Sequence, residues 1–308
     1  MHYECIIIGG GIAGLQAAIQ LGRYKHRVLL IDAQHGRSTI CQAYHNVLGW
    51  PDGVSGPKLR ELGLKHAVSL GIQYLNDLVT EVSSSDPAFQ VATKEHGIHT
   101  ADTILFATGV MDRLPAIPHV VPCLGRTIYV CPDCDGYEVS NRRTMVLGAG
   151  NVGAQMAVTL SYWTDDLIYI NHEMEAVHEE LQEQLNALAI EMIAMPIKEL
   201  LVETEGECEG VRLECGRIVH AERGFVAFGG NEVRTALAES LGVKLMENRH
   251  IAVDPRTKMT NIARVFAAGD VNVHSEQLTI AMGEGAQAAI WIHKTLMSEA
   301  DPSRTKQK

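Results

Sequence analysis

The chain carries one glycine pattern twice, each time directly after a short apolar run. Gly9-Gly10-Gly11-Ile12-Ala13-Gly14 follows Cys5-Ile6-Ile7-Ile8, and Gly148-Ala149-Gly150-Asn151-Val152-Gly153 follows Thr144-Met145-Val146-Leu147. An apolar, β-branched run that opens onto glycines and then an alanine-rich stretch reads as a buried parallel strand turning into a helix. The glycines allow a tight turn and let backbone N–H groups at the helix N-terminus approach a pyrophosphate. One such fingerprint is weak evidence. Two in one chain are an internal duplication, and they predict an α/β fold of two Rossmann-like dinucleotide-binding domains of the three-layer ββα type.

The position that reads the ribose separates the two copies. The strand Arg27 to Ile31 ends at Asp32, whose carboxylate can accept hydrogen bonds from ribose hydroxyls and so suits FAD or NADH. Asn171 stands as far beyond Gly148 as Asp32 stands beyond Gly9, and His172-Glu173-Met174-Glu175 follows it, with no Arg or Lys before Lys198. A pocket for the 2′-phosphate of NADPH needs a guanidinium or ammonium, because a buried dianion without cations is costly. Glutamates stand there instead, which speaks against NADPH. The intact Gly148, Gly150 and Gly153 leave two readings open: a docked dinucleotide, either NADH or a second FAD, or a fold kept for packing that binds nothing.

Just upstream of the second copy lies Cys131-Pro132-Asp133-Cys134-Asp135-Gly136-Tyr137-Glu138. Two cysteines this close can cycle between dithiol and disulfide, and an acid beside them can manage the protons. A zinc site would need a second CxxC or CxxH nearby, and none is present, so no metal is expected. The seven cysteines form no secreted disulfide framework. Cys5 reads as core and Cys41 as a bystander, while Cys123, Cys208 and Cys215 have no motif around them. His45, His119 and His274 fall in loops and read as surface or hydrogen-bonded residues. Tyr44 and Trp50 lie where they could stack on a flavin, with core packing the simpler use of Trp50.

A net charge of −11 argues against nucleic acid and against anionic membrane surfaces. Met1-His2-Tyr3-Glu4 leads straight into the first strand, and no apolar run is long enough to span a bilayer, so a cytoplasmic protein is expected. Along the chain, residues 1–114 hold the first fold, with a helix over Pro57 to Leu70, and Leu114 to Pro122 reads as a linker. Residues 115–243 hold the second unit and the dithiol, with a helix from Val152 to Tyr162 and an acidic amphipathic helix from Glu175 to Leu188 whose glutamates form a solvated face. The tail, 244–308, returns to the first domain. Val265-Phe266-Ala267-Ala268-Gly269-Asp270 is a strand ending in a turn that can set a carboxylate against ribityl hydroxyls, and the helix from Leu278 can aim its positive end at a flavin carbonyl.

These motifs, in this order and over essentially the whole chain, resemble the low-molecular-weight thioredoxin reductases. The resemblance implies a homodimer, with FAD in one domain and the dithiol in the other, acting on a thioredoxin-like protein or a small disulfide or dithiol. It implies that Cys134 faces the flavin, that Cys131 exchanges with the partner, and that Asp135 is the acid and base. FAD contacts carry over to Gly9, Gly11 and Gly14, to Asp32 and Asn46, and to Asp270 and Gln277. Two departures stand out: the family's arginine cluster after the second ribose strand is Asn171-His172-Glu173 here, and Glu276 replaces a basic residue before Gln277. Relatives lacking that cluster take electrons from ferredoxin or hold a second flavin. The spacing Cys-Pro-x-Cys-x-Gly-Tyr-Glu is also similar to that of flavin-dependent oxidases that close disulfides in dithiol natural products, although those have His at the place of Asp135. The expectation is an FAD-dependent dithiol/disulfide oxidoreductase; the alternatives are a dithiol oxidase using oxygen and a flavin redox sensor without turnover.

Overall fold

A computed structural model describes residues 1–85, 87–272 and 276–300; His274 lies outside them. The chain forms two compact units: Met1–Thr39, Pro57–Met111 and the residues from Val233 on make the first, and Ile40–Gly56 with Asp112–Glu232 the second. The first begins with β1 (His2–Ile8), α1 (Ile12–Arg23), β2 (Val28–Asp32), α2 (Gly56–Ser69), β3 (Gln73–Asn76), β4 (Val79–Ser85), β5 (Ala88–Thr93), β6 (Gly97–Phe106) and β7 (Val110–Met111). The second follows with α3 (Val120–Cys123), β8 (Ile128–Tyr129), α4 (Pro132–Asp135), β9 (Thr144–Gly148), α5 (Gly150–Leu160), β10 (Leu167–Asn171), α6 (Glu179–Ala187), β11 (Glu191–Ala194), β12 (Ile197–Thr204), β13 (Glu207–Leu213), β14 (Ile218–His220), β15 (Arg223–Ala227) and β16 (Glu232–Val233). The chain then completes the first unit with α7 (Ala236–Ser240), β17 (Val265–Ala267) and α8 (Leu278–Ala300). Among the described residues no helix is long and apolar enough to cross a membrane.

Duplication is visible in the strand order. The parallel strands of the first unit run β3-β2-β1-β6, with β17 beside β6, and the second unit repeats this as β11-β10-β9-β15-β8. Each unit adds an antiparallel layer, β4-β5-β6 in the first and β12-β13-β14 in the second. Why the fingerprint strands are apolar on both sides follows from these layers. In β1, Cys5 and Ile7 pack with α1 and α8, whereas Ile6 and Ile8 pack with Val82, Phe89 and Val91 of the antiparallel layer. In β9, Val146 meets Ala154, Ala157 and Leu160 of α5, and Met145 and Leu147 meet the β12-β13-β14 side. Full burial of each such chain contributes about 1.5–3 kcal/mol, so a polar residue at Ile7 or Val146 would break its sheet locally.

Several boundaries differ from the sequence reading, and the return to the first unit comes at Val233 rather than at residue 244. Residues 40–56 belong with the second unit: Gln42 N–H donates to Leu124 O (2.8 Å), and Gly125 packs against Ala43 so closely that a Cβ there would stand 2.7 Å from Ala43 O. The acidic helix starts at Glu179 rather than Glu175. Met174 is left-handed (φ 55°), and the loop around it turns back over the start of α5, held by Asn171 Nδ2 to Glu175 O (2.7 Å) and His178 N–H to Asn151 Oδ1 (2.8 Å). A cross-chain anchor of this kind leaves no signal in local periodicity.

Candidate functional site

In the second unit β8 delivers the chain to Cys131, which caps the N-terminus of α4 with Pro132 as its first helical residue. Proline suits that place because its missing N–H has no helical partner anyway. Cys134 N–H and Asp135 N–H both donate to Cys131 O, at 3.2 and 3.0 Å, so the two thiols share one turn. Both are in the thiol form and half-buried. A hydrogen bond with the Cys134 thiol lowers Cys131 below the ordinary thiol range, against the opposing effect of burial. Burial raises Asp135 above the ordinary carboxylate range, although His45 pulls it back. Gly136 is demanded by packing, since a Cβ would lie 2.6 Å from the Trp163 ring. No further ligand joins the thiols: among the described residues no three His, Cys, Asp or Glu side chains gather where a metal ion would bind.

The first fingerprint forms the turn between β1 and α1. Gly9 (φ 105°) has no room for a side chain against Ala107 O, and Gly14 has none against Gly9 O. Gly11 is different. A Cβ there would meet nothing closer than Ser38 Oγ at 4.0 Å, so the chain's own packing does not require glycine at that position. An open glycine at the N-cap of a helix that has no side-chain cap is the cradle a pyrophosphate needs. Asp32 closes β2 beside Gly10, and Arg60 from α2 donates Nη2 to Asp32 Oδ2 (2.5 Å) and Nη1 to Gly10 O (2.7 Å).

Gly269 (φ 79°) lies against Ala13 of the same turn, where a Cβ would stand 2.7 Å from Ala13 Cβ. Its N–H donates to Glu284 Oε2 (3.0 Å), which also accepts from Asn272 Nδ2 (2.7 Å), while Glu284 Oε1 pairs with Lys258 Nζ (2.7 Å). Arg37 Nη1 bridges Asp270 Oδ2 (3.3 Å) and Glu276 Oε2 (2.8 Å), so the acid that replaces a basic residue before Gln277 is neutralised by a cation from the loop after β2. Gln277 O accepts from Ala281 N–H (2.9 Å) at the start of α8. Gly9, Gly11, Gly14, Asp32, Gly269, Asp270 and Gln277 thus belong to the first unit, whereas Asn46 is exposed on the 40–56 loop of the second. The first unit fits FAD by its open Gly11 turn and the carboxylates of Asp32 and Asp270.

The second fingerprint repeats the turn and fills it. Gly148 and Gly153 are required by packing: a Cβ on Gly148 would lie 2.5 Å from Ala227 O, and one on Gly153 would enter the Tyr169 ring. At Gly150, the counterpart of Gly11, a Cβ would meet Glu175 Oε2 at 2.9 Å, Glu175 Cβ at 3.1 Å and Ala176 O at 3.3 Å. The Gly150 N–H already donates to Asn171 Oδ1 (3.1 Å). His172 is engaged as well, its Nδ1 accepting from Ile197 N–H (2.7 Å). One cation does reach this region: Arg113, from before β8, pairs with Glu173 and lies 5.9 Å over the Phe228 ring. A donor so far away in sequence was not visible from the motif. The chain's own carboxylate and backbone, from Glu175 and Ala176, thus stand close at Gly150 where the first turn is open at Gly11.

His45, a loop histidine with no motif around it, stands at the dithiol motif. Its Nδ1 stands 3.9 Å from Asp135 Oδ1 and 4.0 Å from Glu138 Oε1. His119 is exposed at the start of α3. Cys41 donates its thiol to Ala43 O (3.2 Å) beside Gly125, and Cys5 is fully buried in β1.

Comparison with known proteins places this geometry. The family model described as pyridine nucleotide-disulphide oxidoreductase matches residues 3–285. The thioredoxin reductase of Rickettsia bellii is 30% identical over 306 residues, covering 95% of this chain and 98% of that protein, and that of Treponema pallidum is 28% identical over 297 residues, covering 93% and 95%. Among solved structures HlmI superposes with a TM-score of 0.85 at 29% identity, covering 99% of this chain and 96% of HlmI. An oxidoreductase from Agrobacterium tumefaciens gives 0.78 at 27%, covering 96% and 99%.

Proposed function

Because the chain belongs to the pyridine nucleotide-disulphide oxidoreductase family and is an FAD disulfide oxidoreductase of the thioredoxin reductase type, we propose that it passes electron pairs between FAD in the first unit and the Cys131–Cys134 pair without drawing on NADPH. The observation that carries this reading is the contrast between the open turn at Gly11 and the turn at Gly150 that Glu175 and Ala176 fill. Bound FAD supplies the two-electron carrier. Gly11 and the N-terminus of α1 hold its pyrophosphate, Asp32 its ribose, and the Gly269–Asp270 turn its ribityl chain. Cys134 is the thiol nearer the flavin, and Cys131, whose thiol the hydrogen bond with Cys134 holds below the ordinary range, exchanges with a thioredoxin-like protein or a small disulfide. Asp135 holds the proton that the exchange releases or consumes.

With the second turn filled, the electrons that reduce the flavin come either from a protein donor such as ferredoxin or from a dithiol entering at Cys131 and Cys134. Both routes bypass a nicotinamide, and in the second one oxygen or another acceptor reoxidises the flavin. Anaerobic mixing of the flavin-loaded protein with NADPH, NADH, reduced ferredoxin or dithiothreitol, followed at the flavin absorbance band, tests this. Bleaching by dithiothreitol or ferredoxin but not by either nicotinamide is the expected result. Fast bleaching by NADPH would overturn the reading of Gly150 and Glu175.

A further inference from the structure

His45 lies on a segment whose shape is fixed by its own hydrogen bonds. Tyr44 and Val54 exchange backbone hydrogen bonds (2.8 and 3.1 Å), Gly56 N–H donates to Cys41 O (2.9 Å), and Gln42 N–H donates to Leu124 O (2.8 Å). Gly53 (φ 78°) gives the ring its place: a Cβ there would stand 3.0 Å from His45 Cδ2. The imidazole is therefore pinned beside α4, with Nδ1 buried and making no hydrogen bond, at ion-pair range from two carboxylates. A buried ring nitrogen without a hydrogen-bond partner is costly unless its charge is balanced nearby. The charged groups facing it are Asp135 and Glu138, with Arg223 opposing them.

We propose that His45 is a positioning residue for Asp135, holding the carboxyl at the dithiol and sharing its proton, so that the pair rather than the carboxyl alone serves the Cys131–Cys134 sulfurs. The inference rests on the dithiol role given above. Opening the disulfide breaks one S–S bond and adds two electrons and two protons to give two thiols, so FADH2 plus disulfide yields FAD plus dithiol, and closure returns both electrons and both protons. The sulfurs and the flavin need not exchange protons in the same instant, and Asp135 with His45 is a place beside the sulfurs where one can wait. The charges agree with this. Asp135 raises His45 while burial and Arg223 lower it and Glu138 adds to the rise, and His45 opposes the burial that raises Asp135.

The test is His45→Gln, which keeps a polar side chain and removes the charge. The protonation of Asp135 is read directly, from the carboxylic-acid carbonyl band in infrared difference spectra against Asp135→Asn, over a pH series. An opposite charge at this range shifts a carboxyl by about one unit or more, so the band is expected to titrate about one pH unit higher in His45→Gln. The acidic limb of flavin reduction by dithiothreitol moves up with it, lowering the rate about tenfold below the limb. Asp135→Asn removes that limb, and adding the same substitution to it brings no further shift in the pH profile. Retained flavin absorbance shows that the variant has folded, and His45→Lys, which keeps a positive charge, is expected to return the band toward its original midpoint. An unchanged band midpoint in folded His45→Gln would overturn the proposal, as would a uniform loss of rate at every pH. If the band shifts while no dithiol reduces the flavin, the coupling of His45 to Asp135 stands and the dithiol-driven reading fails.

Discussion

Glu284→Gln is the sharpest probe of how the Gly269–Asp270 turn is held. Glu284 and Lys258 are both buried, at 7% and 8% exposure, and their ion pair of 2.7 Å is joined by Gly269 N–H and Asn272 Nδ2 on the second carboxylate oxygen. The amide of Gln can still accept from one or both of those donors through its oxygen, but it turns an NH2 group or a neutral oxygen toward the Lys258 ammonium. That leaves a buried cation uncompensated, which costs about 3–5 kcal/mol. With a urea slope of about 3 kcal/mol per molar for a chain of this size, the unfolding midpoint falls by about 1–1.7 M. The assay is a urea titration followed by circular dichroism and, in parallel, by release of flavin. Lys258→Met in the same chain removes the stranded charge, so the double variant is expected to be more stable than the sum of the two single losses by about 1–3 kcal/mol. A midpoint within about 0.3 M of the unaltered protein, or strict additivity in the double variant, would refute the idea that this pair is a single buried unit.

Two further outcomes follow from the glycine geometry and from Asp77. Gly11→Ala introduces a Cβ that meets no atom of the chain, at a φ of −74° that alanine adopts freely, so the apoprotein keeps its urea midpoint while flavin binding falls at least tenfold. Gly14→Ala, whose Cβ would collide with Gly9 O, loses the fold itself, and equal behaviour of the two variants would remove the argument that Gly11 is reserved for a ligand. Asp77 accepts hydrogen bonds from Leu78 N–H, from His96 N–H and Nδ1 and from Glu95 N–H, and these hold its carboxyl well below the ordinary range although burial opposes them. Because the folded value is below the unfolded one, its stabilisation is complete above about pH 4 and fades only as pH falls further. Asp77→Asn is expected to flatten the dependence of the urea midpoint on pH over that acid range, and identical acid dependence in both proteins would contradict it.

What the sequence made legible is what depends on neighbours along the chain. Apolar runs before glycines announce β1 and β9, because a parallel strand buried on both faces must be apolar at every position, and the return of Val265 to Asp270 announces the strand that completes the first sheet. The contacts that set the chemistry come from farther away. Arg60 reaches Asp32 from another element, and Arg113 reaches Glu173 over a sequence separation of 60 residues. His45 meets Asp135 only because a strand-free loop packs on Leu124 and Gly125. None of these has a period or a spacing to betray it. The misplaced start of α6 has the same origin: Glu175 has helical propensity, but Asn171 claims its carbonyl and Asn151 the N–H of His178, and tertiary hydrogen bonds outweigh a propensity of a few tenths of a kcal/mol.

The two fingerprints also separate what a glycine motif encodes from what it has been taken to encode. In each copy the first and third glycines answer to the chain itself: Gly9 and Gly148 to a carbonyl on the neighbouring strand side, Gly14 and Gly153 to the strand or ring beneath the helix. Those two would be retained by any sequence that keeps this strand-turn-helix packing, with or without a ligand. Only the middle glycine can report on a ligand, and there the copies diverge, with Gly11 facing open space and Gly150, at φ 48°, facing Glu175 and Ala176. A left-handed backbone at Gly150 is itself sufficient reason for glycine. The chain's own conformation and packing thus account for all three glycines of the second GxGxxG, whereas in the first they leave Gly11 unexplained.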